Sequence, residues 1–238
     1  MPSPYNLTIQ DHCTECAVRM DRPFCNMAPD AVAAMNAMKF TAVYPKGSSL
    51  FVEGEESRGV FILCNGRAKL TTTSSEGRTL IVKIAAPGEV LGASAAILGT
   101  PYQVSAETLE ASQVNFIRRS DFLSFLNAYP EACMHAAQQL SEKYASAERE
   151  IRSLGLARST SEKLARLILD WFEEGETTAQ GMRMQVLLTH EEIAQMIGTT
   201  RETVTRLLSA FKRQKLIDVK GASFFLLAED QMRAMVSI

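Results

Sequence analysis

The stretch LTHEEIAQMIGTTRETVTRLLSAFKRQKLI, residues 188–217, decides the fold of the C-terminal part of the chain. It holds two short amphipathic segments on either side of Gly198, and glycine commonly ends a helix. Threonine and glutamate have capping-box spacing at the start of both segments, in Thr189–Glu192 and in Thr199–Glu202. Two amphipathic helices joined by a tight turn that contains glycine are typical of a helix-turn-helix.

The two faces of the second segment carry different chemistry. Its apolar face follows the i, i+3, i+4, i+7 pattern and consists of Val204, Leu207, Leu208 and Phe211. Its opposite face carries four polar residues near the start of the segment, Arg201, Glu202, Thr205 and Arg206. In a helix-turn-helix this part enters the major groove of DNA, where arginine binds guanine, glutamate accepts from cytosine and a threonine methyl contacts thymine. The competing interpretation is a solvated face with a Glu202–Arg206 ion pair, which contributes only about 0.2–0.5 kcal/mol.

A local excess of positive charge follows the same segment. Residues 199–220 contain six cationic and two acidic side chains, a local charge of +4, whereas the whole chain has a net charge of −2. Contact with nucleic acid therefore depends on this patch and not on the charge of the whole protein. IDVKGASFFLL, residues 217–227, predicts a β-hairpin in the position of a wing. The residues expected to contact DNA are Thr199, Thr200, Arg201, Glu202, Thr205, Arg206, Lys212, Arg213 and Lys220.

The N-terminal half of the chain has a strand pattern. Between about residues 40 and 117, glycines recur between short β-prone runs, namely SLFV, VFILC, AKLTTT, TLIVKI and QVNFI. Short strands at this spacing, with turn residues between them, predict a sandwich or barrel.

Residues 130–154 change to a heptad pattern. A narrow stripe of two apolar positions per heptad, flanked by charged residues, favours a partner helix and predicts a parallel homodimer. Docking of the helix on its own domain is the alternative. The seam expected at the dimer interface consists of Cys133, Ala137, Leu140, Tyr144, Ala147, Ile151 and Leu154.

Composition and motifs exclude several classes of function. The 238 residues are 46% hydrophobic and 22% charged, as in an ordinary globular protein. The sequence shows neither a signal peptide nor an apolar run long enough to span a bilayer, so we expect a soluble, cytoplasmic protein without membrane contact. Nucleophile-elbow, phosphate-loop and zinc-protease motifs are absent, and the histidines lie in three separate segments. We therefore expect no enzymatic activity.

With these features, the chain resembles the CRP/FNR family of bacterial transcription regulators over nearly all of its length. KGSSLFVEGEESRGVFILCNGRAKL (46–70) resembles the family's cyclic-nucleotide-binding-like roll, and PGEVLGASAAIL (87–98) resembles its later glycine turn and short helix. RETVTR (201–206) is the most specific match. The resemblance implies an α+β fold with four parts: a cysteine-containing arm (1–28), a β-roll or jelly roll (29–128), a dimerisation helix (129–155) and a winged helix-turn-helix (156–238).

The resemblance also implies partners. Family members bind palindromic DNA as twofold dimers, with half-sites about one helical turn apart, and we expect a contact with RNA polymerase. Glu202 and Arg206 match both the catabolite activator branch and the FNR branch, so TGTGA-like and TTGAT-like half-sites both fit. Arg201 favours the TGTGA-like half-site. A non-DNA regulatory subunit that shares the roll is an alternative, but it would not need a helix-turn-helix.

The roll lacks the residues with which family members bind cyclic nucleotides. Those members carry Glu after the pocket glycine and Arg-Ser or Arg-Thr about ten residues later. Here Gly92 is followed by Ala93, and the later stretch reads Tyr102-Gln103-Val104. Burial of a phosphodiester without a cationic partner is costly, so we do not expect cAMP to bind. A roll without any ligand, in a regulator that needs no cofactor, is the simplest alternative.

The stretch DHCTECAVRMDRPFC (11–25) holds the candidate metal ligands Cys13, Cys16 and Cys25. The FNR branch binds an oxygen-labile [4Fe–4S] cluster through three N-terminal cysteines and a fourth, so the sensor part is closer to this branch. The set is incomplete, because the second gap is longer and Asn115 stands where the fourth cysteine is expected. A cluster would need a ligand other than cysteine, or Cys64. Zinc, a thiol switch and a reduced, metal-free arm are the alternatives, with Cys64 and Cys133 as buried apolar cysteines.

Overall fold

The β-prone runs of the N-terminal half form two antiparallel sheets in the computed structural model of the chain. The strands are β1 (Phe40–Tyr44), β2 (Ser49–Phe51), β3 (Gly59–Asn65), β4 (Ala68–Thr73), β5 (Thr79–Ala85), β6 (Val90–Leu91), β7 (Ser105–Thr108) and β8 (Ser112–Arg118). One sheet has the order β1–β8–β3–β6 and the other β2–β7–β4–β5. All five runs singled out in the sequence are strands, and the predicted β-roll is confirmed.

The structure describes residues 5, 7, 9–156, 159–173, 176–178 and 181–236, with the backbone only at 149, 150, 152–156, 176–178 and 181. The chain divides into two compact units, Met1–Ser146 and Ala147–Ile238. Within the described residues, no helix is long and apolar enough to cross a membrane.

Helices and short turns pack around the roll. They are the 3-10 turns Cys13–Glu15, Arg19–Asp21 and Pro23–Cys25 and the helices α1 (Pro29–Met38), α2 (Ala93–Leu98) and α3 (Arg119–Ala128). One apolar core joins the two sheets, with Phe61 and Leu63 of β3 beside Leu70 of β4. A second core lies between the first sheet, α1 and α3, and it includes Phe24 of the arm. The arm is therefore part of the folded unit.

The long helix predicted from the heptad pattern is present as α4 (Pro130–Leu156). Ala132 and Ala136 are buried against the roll, which fixes the start of the helix. The seam residues Cys133, Ala137, Tyr144, Ala147 and Ile151 are exposed in the single chain, and Leu140 is half-buried. Cys133 is exposed in the single chain, so its burial as an apolar cysteine would require the partner helix. The side chain of Leu154 lies outside the described residues.

The second unit combines helices with a small sheet. Its elements are α5 (Thr160–Glu173), β9 (Glu176–Thr178), β10 (Gly181–Gln185), α6 (His190–Ile197), α7 (Arg201–Arg213), β11 (Ile217–Lys220), β12 (Ser223–Leu226) and α8 (Glu229–Ala234). The sheet order is β11–β12–β10–β9, so the predicted wing hairpin is confirmed. The stretch 173–182, EEGETTAQGM, has a composition that predicts a loop, but it contributes β9 and the start of β10, because β10 pairs with β12 and β9 pairs with β10.

Candidate functional site

The first helix of the helix-turn-helix has the cap that the sequence predicts. The Glu192 N–H donates to Thr189 Oγ1 at 3.2 Å, and the Thr189 N–H donates to Glu192 Oε2 at 2.9 Å, which completes the capping box. Gly198 ends α6 with φ 65° and ψ 47°, a left-handed conformation that favours glycine. Its N–H donates to the Ala194 carbonyl. These bonds set the tight turn between α6 and α7.

The start of the second helix differs from the prediction by one residue. The N-cap is Thr200, whose Oγ1 accepts from the Thr203 N–H at 3.3 Å, and α7 begins at Arg201. Thr199 therefore does not form the expected capping box, since it stays in the turn with its N–H bonded to the Ala194 carbonyl at 3.0 Å. Both threonines remain at the N-terminal end of α7.

The apolar face of α7 fixes which side chains point outward. Val204, Leu208 and Phe211 are buried in the core of the second unit, together with residues of α5 and α6. Because α-helical positions repeat every 3.6 residues, burial of this face leaves the opposite face exposed. Glu202 and Arg206 lie there, and Thr205 lies at its edge. Arg201, three residues before Val204, is exposed because it lies in the first turn, at the N-terminal end of the helix.

The charged tips on this exposed face are not engaged with the rest of the protein. Within the described residues, no ion pair or side-chain hydrogen bond involves the guanidinium of Arg201 or Arg206 or the carboxylate of Glu202. The Glu202–Arg206 ion pair, which was the competing interpretation of this spacing, is therefore not formed. Two guanidinium groups and a carboxylate are left available for a partner outside the chain.

Thr205 is held by a contact that the sequence did not reveal. Its Oγ1 donates to the Arg201 carbonyl at 3.0 Å and lies 2.8 Å from His190 Nδ1, at the start of α6. The hydroxyl is therefore used within the protein, and the methyl group remains for an apolar contact outside it. The bond to His190 also ties the outer face of α7 to α6.

The wing places further cations beside α7. Lys212 Nζ lies 3.4 Å from Asp218 Oδ1, and Lys220 Nζ lies 3.8 Å from Asp218 Oδ2. A backbone hydrogen bond from Val219, together with Lys212, lowers the pKa of the Asp218 carboxyl. One acidic group thus gathers two of the expected phosphate-binding lysines on one surface, and Arg213 is exposed near them.

The cysteines of the arm meet a fourth cysteine in a cavity of the first unit. A cavity of about 20 Å³ is lined by Cys13, Cys16 and Cys25 of the arm and by Cys64 of β3. Asn115 also lines it, with its Nδ2 3.8 Å from Cys13 Sγ. The sequence raised Cys64 only as one option for a fourth ligand, and the fold brings it beside the arm cysteines.

These thiols are free in the structure. All five cysteines are unpaired. Burial raises the pKa of Cys25 to about 11 and that of Cys64 to about 12, and it also raises the pKa of Cys13. Within the part of the chain that the structure describes, no group of three or more histidine, cysteine, aspartate or glutamate side chains is arranged to hold a single metal ion.

The glycine turn of the roll is occupied by an aromatic side chain. Gly92 has φ 81°, and a Cβ placed on it would lie 2.8 Å from Tyr102 Cε1. The Tyr102 ring stacks on Phe51 with centroids 4.2 Å apart, and its hydroxyl donates to the Gly59 carbonyl at 2.8 Å. Only 4% of Tyr102 is exposed, so the space beside Gly92 is filled by the protein itself.

Comparison with known families accounts for both units. The cyclic nucleotide-binding domain family matches residues 41–129, and the Crp-like helix-turn-helix domain family matches residues 162–235. Curated relatives include a CRP-like cAMP-activated global transcriptional regulator of Mycobacterium tuberculosis, 25% identical over 85% of this chain and 91% of that protein. The transcriptional activatory protein AadR of Rhodopseudomonas palustris is 28% identical over 86% of this chain and 84% of that protein.

Solved structures share the fold. FixK2 from Bradyrhizobium japonicum superposes with a TM-score of 0.73 at 21% identity, covering 84% of this chain and 98% of that one. The c-di-GMP responsive regulator CLP of Xanthomonas campestris superposes with a TM-score of 0.74 at 18% identity, covering 84% and 99%. At these identities the likeness concerns the fold alone.

Proposed function

Because the chain belongs to the CRP/FNR family of DNA-binding transcription regulators, we propose that it acts as a homodimer on a palindromic DNA site, under a signal other than cAMP. Its relatives are transcription regulators and not enzymes. The signal enters at the N-terminal arm or the roll, and the DNA-bound dimer contacts RNA polymerase in the cytoplasm.

The observation that carries the proposal is the exposed face of α7. Arg201 and Arg206 offer bidentate donors to guanine O6 and N7, and Glu202 offers an acceptor to cytosine N4. Because no ion pair within the described residues engages these groups, they reach a base edge without first breaking a contact. The methyl of Thr205 suits thymine. With two guanine-reading arginines, the face favours a TGTGA-like half-site over a TTGAT-like one.

The first test replaces one base-reading arginine. Arg206→Ala is expected to lower affinity for a TGTGA-type palindrome by about 1–3 kcal/mol, since a bidentate base contact is lost. Gel-shift titration against the palindrome and against a random duplex of equal length measures this loss.

The matched control is Arg213→Ala, which removes the same side chain from the other end of α7. If Arg213 contacts phosphate, its loss should weaken binding to both duplexes alike. It should also reduce the slope of log affinity against log salt concentration by about one. Equal binding of the palindrome by wild-type protein and Arg206→Ala would contradict base reading by α7.

The seam of α4 supports the homodimer. Tyr144 is 68% exposed and Ile151 is 71% exposed in the single chain, on the same side of one helix. Large apolar side chains in a stripe at heptad spacing are stabilised when a second helix covers them. A parallel pair of α4 helices would cover this stripe and duplicate α7, as a palindrome requires.

The second test disrupts the seam. Tyr144→Asp places a charge at the centre of the stripe and is expected to give a monomer in light scattering. The variant should also lose the preference of the wild-type protein for the palindrome over an isolated half-site. Gln138→Asp adds the same charge on another side of α4 and should leave the dimer intact. A dimeric Tyr144→Asp protein would show that the chains meet elsewhere.

The roll itself supports a signal other than cAMP. Tyr102 fills the space beside Gly92, and the stretch from Tyr102 to Val104 supplies no cation to a phosphodiester. A ligand would therefore have to displace a stacked, hydrogen-bonded side chain and then bury its charge unpaired, at a cost of several kcal/mol.

The third test is calorimetric titration with cAMP. We expect no binding in the micromolar range, which corresponds to roughly −8 kcal/mol. Tyr102→Ala opens the pocket without adding charge and should not bind either, which separates the missing cation from the steric block. A micromolar or tighter constant for the wild-type protein would refute this part of the proposal.

The arm is the better candidate for the sensor. Its Phe24 and Met27 share a core with Ala132 and Ala136 at the start of α4, and the Ala28 N–H donates to Glu131 Oε1 at 2.9 Å. A change in the arm therefore reaches the proposed dimer helix directly. Thiolates are the ligands of iron–sulfur clusters, and the arm cysteines Cys13, Cys16 and Cys25 fit that role.

A further inference from the structure

We propose that His190, at the start of α6, determines part of the base specificity of α7, because it selects the rotamer in which Thr205 reads thymine. The inference rests on the DNA-binding function proposed above. It names a residue outside α7 that shapes what α7 recognises. Since His190 acts through Thr205, it is a positioning residue and not itself a base contact.

The hydrogen bonds of Thr205 fix the direction of its contact with His190. Thr205 Oγ1 carries a single proton, which it donates to the Arg201 carbonyl at 3.0 Å. The same oxygen lies 2.8 Å from His190 Nδ1, so it accepts there, and Nδ1 must carry the proton. The imidazolium cation and the neutral ring protonated at Nδ1 both make this bond. A ring protonated only at Nε2 would leave Nδ1 and the oxygen with no proton between them.

This second bond matters because a helical threonine otherwise has a choice of rotamer. Threonine in a helix divides between two χ1 wells, since its hydroxyl can bond the carbonyl one turn earlier. The two wells point the methyl group in different directions. The bond from His190 stabilises only the observed well, because the other one carries the Thr205 oxygen away from Nδ1. His190 therefore decides where the Thr205 methyl group points.

The two helices hold this pair of side chains in register. The capping box at Thr189 fixes the backbone of α6 where His190 begins the helix. Ile193 of α6 and Val204 of α7 are buried in one core, which fixes the two helix starts relative to each other. His190 is half-buried, whereas Thr205 is exposed. A buffered ring thus supports a side chain that faces outward.

The outward chemistry of Thr205 is then that of a methyl group. Its hydroxyl is bonded twice within the protein and has no proton left to offer a base. A free threonine hydroxyl can bond several base edges, whereas a methyl group is suited to the thymine methyl. His190 therefore narrows the preference of Thr205 to thymine.

The test compares two replacements of His190 that differ in hydrogen bonding. His190→Asn keeps an N–H donor three bonds from Cα, where Nδ1 stands, and His190→Leu places a methyl group there. Thr205→Val keeps a methyl group and has no hydroxyl, and valine holds one χ1 well in a helix without help. Thermal unfolding shows whether each variant is folded.

The probes are TGTGA-type palindromes in which one thymine, at symmetric positions of both half-sites, is replaced by uracil, which lacks only the 5-methyl group. Each thymine is replaced in turn. At the position read by Thr205, wild-type affinity should fall about fifteenfold, since two methyl groups contribute about 0.8 kcal/mol each. His190→Leu should reduce this loss to less than half, and His190→Asn should restore it. In a Thr205→Val background, His190→Leu should leave the loss unchanged.

A second measurement needs no DNA. Nitrogen NMR of histidine-labelled protein should show that His190 Nδ1 is protonated, with its signal assigned by its loss in His190→Asn. Three-bond couplings to the Thr205 methyl group should report a single χ1 rotamer in wild-type protein and in His190→Asn. In His190→Leu they should report an average of two rotamers.

The outcomes separate the inference from the function on which it rests. Equal weakening of thymine and uracil palindromes by His190→Leu would overturn the inference, because a phosphate contact or a general structural role gives that result. A His190 ring protonated only at Nε2, or an averaged Thr205 rotamer in wild-type protein, would also overturn it. Wild-type protein that binds the palindrome no better than a random duplex would refute the proposed function and thymine reading together, and NMR then decides separately whether His190 holds Thr205.

Discussion

The rotation of α7 about its own axis is the constraint on which the rest of the account depends. Val204, Leu208 and Phe211 are anchored in the core of the second unit, and burial of a phenylalanine contributes about 3–5 kcal/mol relative to alanine. The helix cannot turn without exposing them. Glu202 and Arg206 are therefore presented outward by packing, Arg201 is exposed at the N-terminal end, and Thr200 caps the start of the helix.

Much of this site follows from local sequence. The capping box of α6, the left-handed glycine and the apolar stripe of α7 are decided by residues within a few positions of each other, so their patterns predict them. The cap of α7 was misplaced by one residue, because two adjacent threonines offer the same oxygen and only the backbone geometry selects Thr200.

What the sequence could not predict arises from contacts between distant segments. The bond between His190 and Thr205 joins two helices, and the convergence of Cys64 with the arm joins a strand to a segment far before it. Neither leaves a periodic signal. The strands β9 and β10 were missed for a similar reason, because the pairing of β10 with β12 and of β9 with β10 stabilises a stretch whose own composition suggests a loop.

The roll and the arm differ in what they offer to the proposed signal. Tyr102 fills the space beside Gly92 in the roll, whereas the arm has three thiols, two arginines at the same cavity and a packing contact with the start of α4. A signal at the arm therefore has a short mechanical route to the helix proposed to form the dimer.

The most direct test of the central claim is methylation interference on the bound palindrome. Methylation of guanine N7 blocks the major-groove acceptor that a bidentate arginine uses. We predict that methylated guanines at corresponding positions in both half-sites, related by the twofold axis, prevent binding. Binding that tolerates N7 methylation at every guanine would show that the outer face of α7 does not read bases.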